Sequence, residues 1–311
     1  MTEPASSPAT SIGRGIAIMV LAMLIVPGMD ALAKLLSRQM SGPHVAFLRF
    51  VGQALAAGGI GLIVGEGRRL IPENAGPHWL RGAFLAVTAL QFYSALRTMP
   101  LTDALAIAFA EPMILTAVSP WALGETVGWR RWAACGVGFV GTLIIIRPSF
   151  EVFGPTALLP LGSAFTFAAY HVMTRRLSGQ GSLVAAQFTT GVAGTAVLGL
   201  GLVVAWAAGA IEVPVVLPID GFGWTIFAVM GAMSFVTHGL IIKAFEHAPA
   251  AVLAPFGYLE IVSATALSLT VFGDFPDGAT WIGMALIVAS GLYIVHRERL
   301  AGRSRELPPV E

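Results

Sequence analysis

The sequence predicts an all-α integral membrane protein: ten transmembrane helices arranged as two inverted five-helix repeats, with the N- and C-termini cytoplasmic. Three observations carry that expectation. Of 311 residues, 56% are apolar and only 11% charged, against roughly 25% charged in soluble domains. The chain matches itself at nearly constant offsets, and its lysines and arginines crowd into alternate connections. At a mean hydropathy of +0.79, a water-soluble globule of this size could not cover its apolar side chains, so the bilayer is the solvent.

Residues 1–13 are polar and read as a cytoplasmic tail. The apolar run after Arg14 exceeds the roughly 7–15 residues of a signal-peptide core, and no small-residue cleavage site closes it, so it counts as the first span. Apolar stretches then recur between polar, Gly or Pro punctuation. The spans fall at 15–36, 45–64, 79–98, 102–123, 132–147, 154–175, 184–208, 221–243, 248–272 and 278–296, each near the ~20 residues a crossing needs. The third and fourth meet in a tight turn at Pro100, and the fifth is short.

With the N-terminus inside, the cytoplasmic cations are Arg14, Arg68, Arg69, Arg81, Arg130, Arg131, Arg175, Arg176, Lys243, Arg297, Arg299, Arg303 and Arg305. The opposite side holds only Lys34, Arg38, Arg97 and Arg147, while Arg49 lies within the second span. Thirteen against four places both termini in the cytoplasm. An even number of spans independently requires both termini on one side.

An offset of 149 lays spans three to five on spans eight to ten: Pro100 on Pro249, Glu111 on Glu260, Gly124 on Gly273, Glu125 on Asp274, Trp132 on Trp281. An offset of 141 lays the first span on the sixth: Lys34 on Arg175, Ser37 on Ser178, Gln39 on Gln180, Ser41 on Ser182, Phe47 on Phe188. The repeats are expected at 14–147 and 154–296, followed by a cytoplasmic tail at 297–311. Five is odd, so the second repeat enters the membrane inverted. Inverted repeats around a midplane site are the architecture of secondary transporters that work by alternating access.

Other chemistries find no support. One cysteine, Cys135, forms no intramolecular disulfide, and a net charge of +1 gives no basic groove for nucleic acid. His44, His78, His171, His238, His247 and His296 include no pair at metal-binding i, i+4 spacing. No cofactor is expected. An intramembrane enzyme would need a catalytic set, and neither a Gly-x-Ser-x-Gly elbow nor a Walker-type loop occurs. A non-transporting membrane scaffold or sensor is the remaining alternative, but the tails are too short for an effector domain. A carrier without an ATP-binding module runs on a gradient or on exchange.

Ionisable groups at bilayer depth cost roughly 2.5–3.5 kcal/mol on insertion scales, so they mark candidate sites. Asp30 and Lys34 share a helix face, one turn after Pro27 and Gly28, which can kink the helix. The pair reads either as part of a solute site or as a surface ion pair with Lys34 snorkelling outward. Arg49 sits among apolar neighbours and needs an anion, Asp30 or a solute carboxylate. Glu111, beside Pro112, and Glu260 lie at equivalent depth; each can carry a coupling proton or lock helix packing by a hydrogen bond. His171 and His238 each serve a site or a neighbouring helix, whereas Lys243, Arg175 and Arg176 fit the inside-positive rule. Tyr93, Tyr170 and Tyr258 lie within spans and are candidate cavity walls. Trp79, Trp121, Trp129, Trp132 and Trp281 lie at span ends as interfacial anchors. Gly136, Gly138 and Gly141 read as close helix packing.

Several segments resemble the drug/metabolite transporter (DMT) superfamily and its EamA-type ten-helix carriers: Met29-Asp30-Ala31-Leu32-Ala33-Lys34, Phe47-Leu48-Arg49-Phe50, Ala110-Glu111-Pro112, and Ala248-Pro249-Ala250-Ala251 followed by Ala254-Pro255-Phe256-Gly257-Tyr258-Leu259-Glu260. The likeness spans nearly the whole chain outside the tails. It implies a multi-pass carrier of small organic solutes in a bacterial inner membrane, with a cavity lined by both halves and the fifth and tenth helices peripheral. The superfamily includes amino-acid and metabolite exporters, and these segments look most like members that take up S-adenosylmethionine or riboflavin. The implied partners are a small-molecule solute and the lipid bilayer, and a homodimer stays open. One departure stands out: Glu260 is followed by Ile261, where the first half has Pro112.

Overall fold

The computed structural model describes residues 8–37, 39–67, 70–96, 98, 101–146, 154–213, 215–218, 220–267 and 278–306. Among them all regular structure is helical: α1 (Pro8–Leu36), α2 (Gly42–Ile63), α3 (Ala75–Ala95), α4 (Leu101–Ala108), α5 (Glu111–Leu123), α6 (Trp129–Ile146), α7 (Leu158–Arg176), α8 (Leu183–Ala207), α9 (Gly221–His247), α10 (Ala250–Leu253), α11 (Leu259–Leu267) and α12 (Gly278–Glu306). A 3-10 turn, Gly154–Ala157, leads into α7, and another, Ala254–Tyr258, joins α10 to α11. The fourth and ninth expected spans are therefore broken helices, α4–α5 and α10–α11, and the described elements form ten rods.

Six stretches are long and apolar enough to cross a bilayer: Ser11–Leu36, Gly42–Ile63, Gly154–Arg176, Leu183–Ala207, Gly221–His247 and Ala250–Leu267. The other four expected spans have local reasons for falling short. The break at Phe109–Ala110 leaves α4 with 8 residues and α5 with 13. Helix α6 opens on Trp129-Arg130-Arg131-Trp132, and α3 on Gly76-Pro77-His78 with Arg81 in its second turn. Helix α12 is apolar over Trp281–Ile294 but runs on into a segment rich in Arg and Glu.

Helix α1 begins at Pro8, before the expected residue 15, and continues through Pro27 without a break. Proline has no N–H for the carbonyl four residues back. That carbonyl, on Met23, lies 2.9 Å from Ser263 Oγ of α11, whose single proton it shares with Glu260 O, also at 2.9 Å. The bond ties the first helix to the ninth rod at the point where α1 lost its own ladder.

The strongest helix pairings form a self-consistent set. Helix α1 packs on α9 and α3 on α7; α2 packs on α9 and α8 on α3; α1 packs on α11 and α7 on α5; α2 faces α8 and α6 faces α12. Exchanging α1, α2, α3, α5 and α6 for α7, α8, α9, α11 and α12 returns the same pairs. Point contacts follow the two sequence offsets. A Cβ added at Gly231 would lie 2.6 Å from the Gly52 backbone, and one at Gly82 would lie 2.7 Å from Ala193 Cβ. Residues 82 and 231 are equivalent, as are 52 and 193. Phe109 and Tyr258, equivalent to each other, meet with ring centroids 6.1 Å apart.

The interior is apolar around Phe50, Leu85, Met230 and Phe245, and the periphery is apolar too, with Ile63 85% and Leu200 67% exposed. Such a surface suits lipid, not water. All five anchor tryptophans are exposed. Close packing holds for Gly138, against the Tyr258 ring, and for Gly141, whose added Cβ would lie 2.7 Å from Gly283 O, but Gly136 meets nothing within 4 Å.

One cation needs correcting. Arg81 is 1% exposed, because α3 begins at Ala75 and carries it between α3 and α8. There Nη2 donates to Ala186 O at 2.6 Å and Thr190 Oγ1 at 2.9 Å, so Arg81 is a packing residue and not a loop charge. Arg38, Arg68, Arg69, Arg97, Arg147, Pro100, Gly273 and Asp274 lie outside the described residues.

Gly231→Val is expected to force α2 and α9 apart and lower the thermal unfolding midpoint in detergent, at a cost of about 1–3 kcal/mol. Gly59→Ala, with nothing within 4 Å of the new methyl, is expected not to lower it. Equal midpoints for the two variants would contradict the close crossing.

Candidate functional site

Both broken rods are set by proline chemistry. Pro112, in the first turn of α5, cannot donate to Ala108 O, and Pro255 cannot donate to Ala251 O. The departure at Ile261 thus moves the second break upstream to Ala254–Tyr258 without removing it. Each break is followed at once by a carboxyl: Glu111 opens α5 and Glu260 sits in the first turn of α11. A helix start carries partial positive charge and favours an acid there. Irregular backbone at membrane depth is tolerated where it lines a cavity, and these breaks line one.

The cavity has a volume of about 120 Å³ and lies between the two halves. Seven of the ten expected site residues border it: Asp30, Arg49, Tyr93, Glu111, His171, His238 and Glu260. The other three do not. Lys34 is exposed on α1, while Tyr170 and Tyr258 are wholly buried beside the wall. Tyr170 stacks on Phe167, which does border the cavity, with centroids 5.7 Å apart. The Asp30–Lys34 pair is not formed; Asp30 faces the Arg49 guanidinium and the Tyr93 phenol instead. Phe92, Tyr93, Phe109 and Phe167 give the cavity an aromatic wall.

A buried chain of polar contacts fixes Arg49. Its Nε donates to Ser234 Oγ at 3.1 Å and its Nη2 contacts His238 Nε2 at 3.0 Å. His238 Nδ1 lies 3.0 Å from Ser234 O, and a carbonyl only accepts, so the proton belongs on Nδ1 and Nε2 accepts from Arg49. Ser234 Oγ donates on to Gln53 Oε1 at 3.1 Å, Gln53 Nε2 to Gln187 Oε1 at 2.7 Å, and Gln187 Nε2 to Phe235 O at 2.6 Å. The guanidinium is thereby held by α2, α8 and α9 together. Sequence reasoning missed Ser234, Gln53 and Gln187. A signal existed, since Gln53 stands four residues after Arg49 and Ser234 four before His238, each pair on one helix face.

The three acids of the cavity have unequal surroundings. Asp30 is met by Arg49 and Tyr93, and Glu111 Oε1 lies 2.9 Å from His171 Nδ1. The Glu260 carboxyl has no hydrogen-bond or ion-pair partner among the described residues, although the charges of Asp30 and Glu111 both reach it. Two equivalent glutamates thus differ in one respect: the first is engaged by protein and the second faces only the cavity. Among the described residues no group of His, Cys, Asp and Glu could hold a metal.

The EamA-like transporter family model matches residues 13–147 and again 154–296. The S-adenosylmethionine uptake transporter of Rickettsia bellii is 27% identical over 289 residues, covering 92% of this chain and 95% of that one. The riboflavin transporter of Vibrio cholerae is 30% identical over 243 residues, covering 77% and 78%. One solved crystal structure superposes with a TM-score of 0.75 at 22% identity over 92% of this chain and 98% of the other, a likeness of fold. With both halves matched and the helices packed around a shared cavity, the chain belongs to the EamA-like transporter family of the DMT superfamily, as a non-enzymatic, multi-pass secondary transporter of a small polar metabolite.

Proposed function

We propose that the solute is a zwitterion carrying an additional positive charge and a planar ring, of the S-adenosylmethionine class, moved across a bacterial inner membrane by alternating access. The observation that carries this reading is the charge inventory of the cavity: one arginine against three carboxyls, with Glu260 left unpartnered. Arg49, held in place by Ser234 and His238, offers its fork to a carboxylate. Glu260, the cavity carboxyl without a protein partner among the described residues, offers negative charge to an ammonium or sulfonium centre. The aromatic wall offers a stacking face to a ring. The relatives that take up S-adenosylmethionine over nearly their whole length support the same class.

Riboflavin is the second reading, favoured by the aromatic wall and by the riboflavin transporter at 30% identity. Stacking serves adenine and isoalloxazine equally. An excess of carboxyls serves a cation and does nothing for a neutral flavin, so the first reading leads. An amino acid would use Arg49 and Glu260 but leave the aromatic wall idle.

The orientation belongs to the same proposal. The repeats run in opposite directions through the membrane, with both termini and the helix ends carrying Arg130, Arg131, Arg175 and Arg176 in the cytoplasm. The exchange symmetry of the helix pairings and the bias of basic residues support it.

Two measurements test the proposal. In proteoliposome counterflow, labelled S-adenosylmethionine is expected to exchange saturably and riboflavin not to exchange. Glu260→Gln is expected to fold and to cut the exchange about tenfold or more, some 1.4 kcal/mol. Riboflavin exchange indifferent to Glu260→Gln would replace the first reading with the second. For topology, a green fluorescent protein fused at the C-terminus is expected to fluoresce, and alkaline phosphatase fused after Ala210 to be active. The opposite pair of signals would invert the orientation.

A further inference from the structure

At the end of α7, Arg175 and Ser178 converge on one carbonyl of α9. Arg175 Nη1 donates to Phe245 O at 2.5 Å and Ser178 Oγ donates to the same oxygen at 3.1 Å. Arg175 Nε also donates to Glu125 Oε1 at 3.3 Å. Glu125, in the connection between α5 and α6, accepts the backbone N–H groups of Ala250 and Ala251, each at 3.0 Å. One carboxylate of the first half therefore caps the start of α10, which leads into the rod bearing Glu260, and braces α7 against α9. Arg176 adds two bonds to Ala122 O at the end of α5, at 2.9 and 2.7 Å. Phe245, Leu253 and Ala254 border the cavity, so this polar latch lies directly behind one end of it.

The offsets of 141 and 149 convert Arg175, Ser178 and Phe245 into Lys34, Ser37 and Leu96. Those three residues do not repeat the arrangement. Lys34 and Ser37 are exposed, and Ser37 Oγ turns back to Lys34 O at 2.7 Å. Neither side chain bonds the Leu96 carbonyl at the end of α3. Helices α7 and α9 touch, whereas α1 and α3 make no comparable contact. Among the described residues the Arg175–Ser178–Phe245 arrangement thus stands at one end only; at the other, Gln39 Nε2 donates to Asp220 Oδ1 at 3.1 Å, and Asp274, the counterpart of Glu125, lies outside the described residues.

We propose that Lys34 and Ser37 are transport residues of the unlatched end: in the opposite state of the cycle they bind the Leu96 carbonyl and draw α1 onto α3, while Arg175, Ser178 and Glu125 let go. The two latches exclude one another, so the cavity is closed at one end at a time. Lys34, exposed here and outside the cavity, thereby acts on the conformational step and not on the solute. This assignment rests on the inverted-repeat, alternating-access reading above. It adds specific atoms to each end of the cycle.

The test is a disulfide trap. Ser37→Cys and Leu96→Cys are introduced together in a Cys135→Ala background, with and without Glu125→Gln, which weakens the bonds of the present latch. Oxidation is expected to give a 37–96 disulfide several-fold more abundant in the Glu125→Gln background. The disulfide is expected to stop counterflow of labelled S-adenosylmethionine until a reductant is added. Ser178→Ala, which removes a single bond, should shift the yield in the same direction by less, and it serves where Glu125→Gln fails to fold. A yield no higher than the single-cysteine controls, or one equal with and without the latch substitutions, would overturn the assignment. A disulfide that forms as expected in a protein that exchanges no solute would leave the latch standing and remove the transport reading.

Discussion

A proline inside a bilayer strands a backbone carbonyl, and there is no water within the hydrocarbon to take it up. Pro27 and Pro120 lie inside helices of this chain, and Pro112 and Pro255 open helical segments; the answers at Pro27, Pro112 and Pro255 shape the structure around the cavity. At Pro27 the helix stays whole, and Ser263 of the opposite half brings a hydroxyl, shared with Glu260 O, to the stranded Met23 O. At Pro112 and Pro255 the helix gives way. The two breaks meet where the equivalent residues Phe109 and Tyr258 pack with ring centroids 6.1 Å apart. The backbone that could not remain helical borders a cavity, and each break delivers a glutamate to a helix start beside it.

Duplication explains the frame and departures from duplication explain the chemistry. The glycine crossings at 52/231 and 82/193 are one contact used twice, so the scaffold can be read as a single design repeated. The polar groups do not repeat. Arg49 has Thr190 as its equivalent, and His171 of the second half engages Glu111 of the first while Glu260 receives no such partner. A solute with unlike ends needs a site with unlike ends, and a site near a symmetry axis acquires them only where the repeats have diverged. The unequal latches at Phe245 and Leu96 extend this divergence from composition to conformation.

Much of the architecture was legible in the sequence because bilayer hydrophobicity and repeat offsets are long-range signals that survive local irregularity. Of the seven expected site residues that border the cavity, six are ionisable groups, conspicuous because a charge at membrane depth is costly, and the seventh is Tyr93. The failures are local. Arg81 looked like a loop cation because Gly76, Pro77 and His78 weaken the apolar pattern, yet proline in a first turn starts a helix readily. Tyr170 and Tyr258 face helix neighbours because rotation about a helix axis is fixed by packing, and the apolar pattern on helices surrounded by protein and lipid marks no single face. The sequence offered Asp30 two partners, Lys34 four residues away on the same helix face and Arg49 on the next span, and spacing along the chain does not choose between them. Arg49 and Tyr93 become neighbours only once α1, α2 and α3 assemble. Gln53 and Gln187 are uncharged, so they carried none of the cost that made the other residues conspicuous.

The central claim is that one cavity reads opposite charges on a single solute, with Arg49 and Glu260 as its two poles. A structure determined with S-adenosylmethionine bound tests it most directly. The account predicts the amino-acid carboxylate within hydrogen-bond distance of Arg49, the cationic centre facing Glu260, and the adenine against the aromatic wall of Phe92, Tyr93, Phe109 and Phe167. Density for the ligand elsewhere, or in the reverse orientation with its carboxylate toward Glu260, would contradict it.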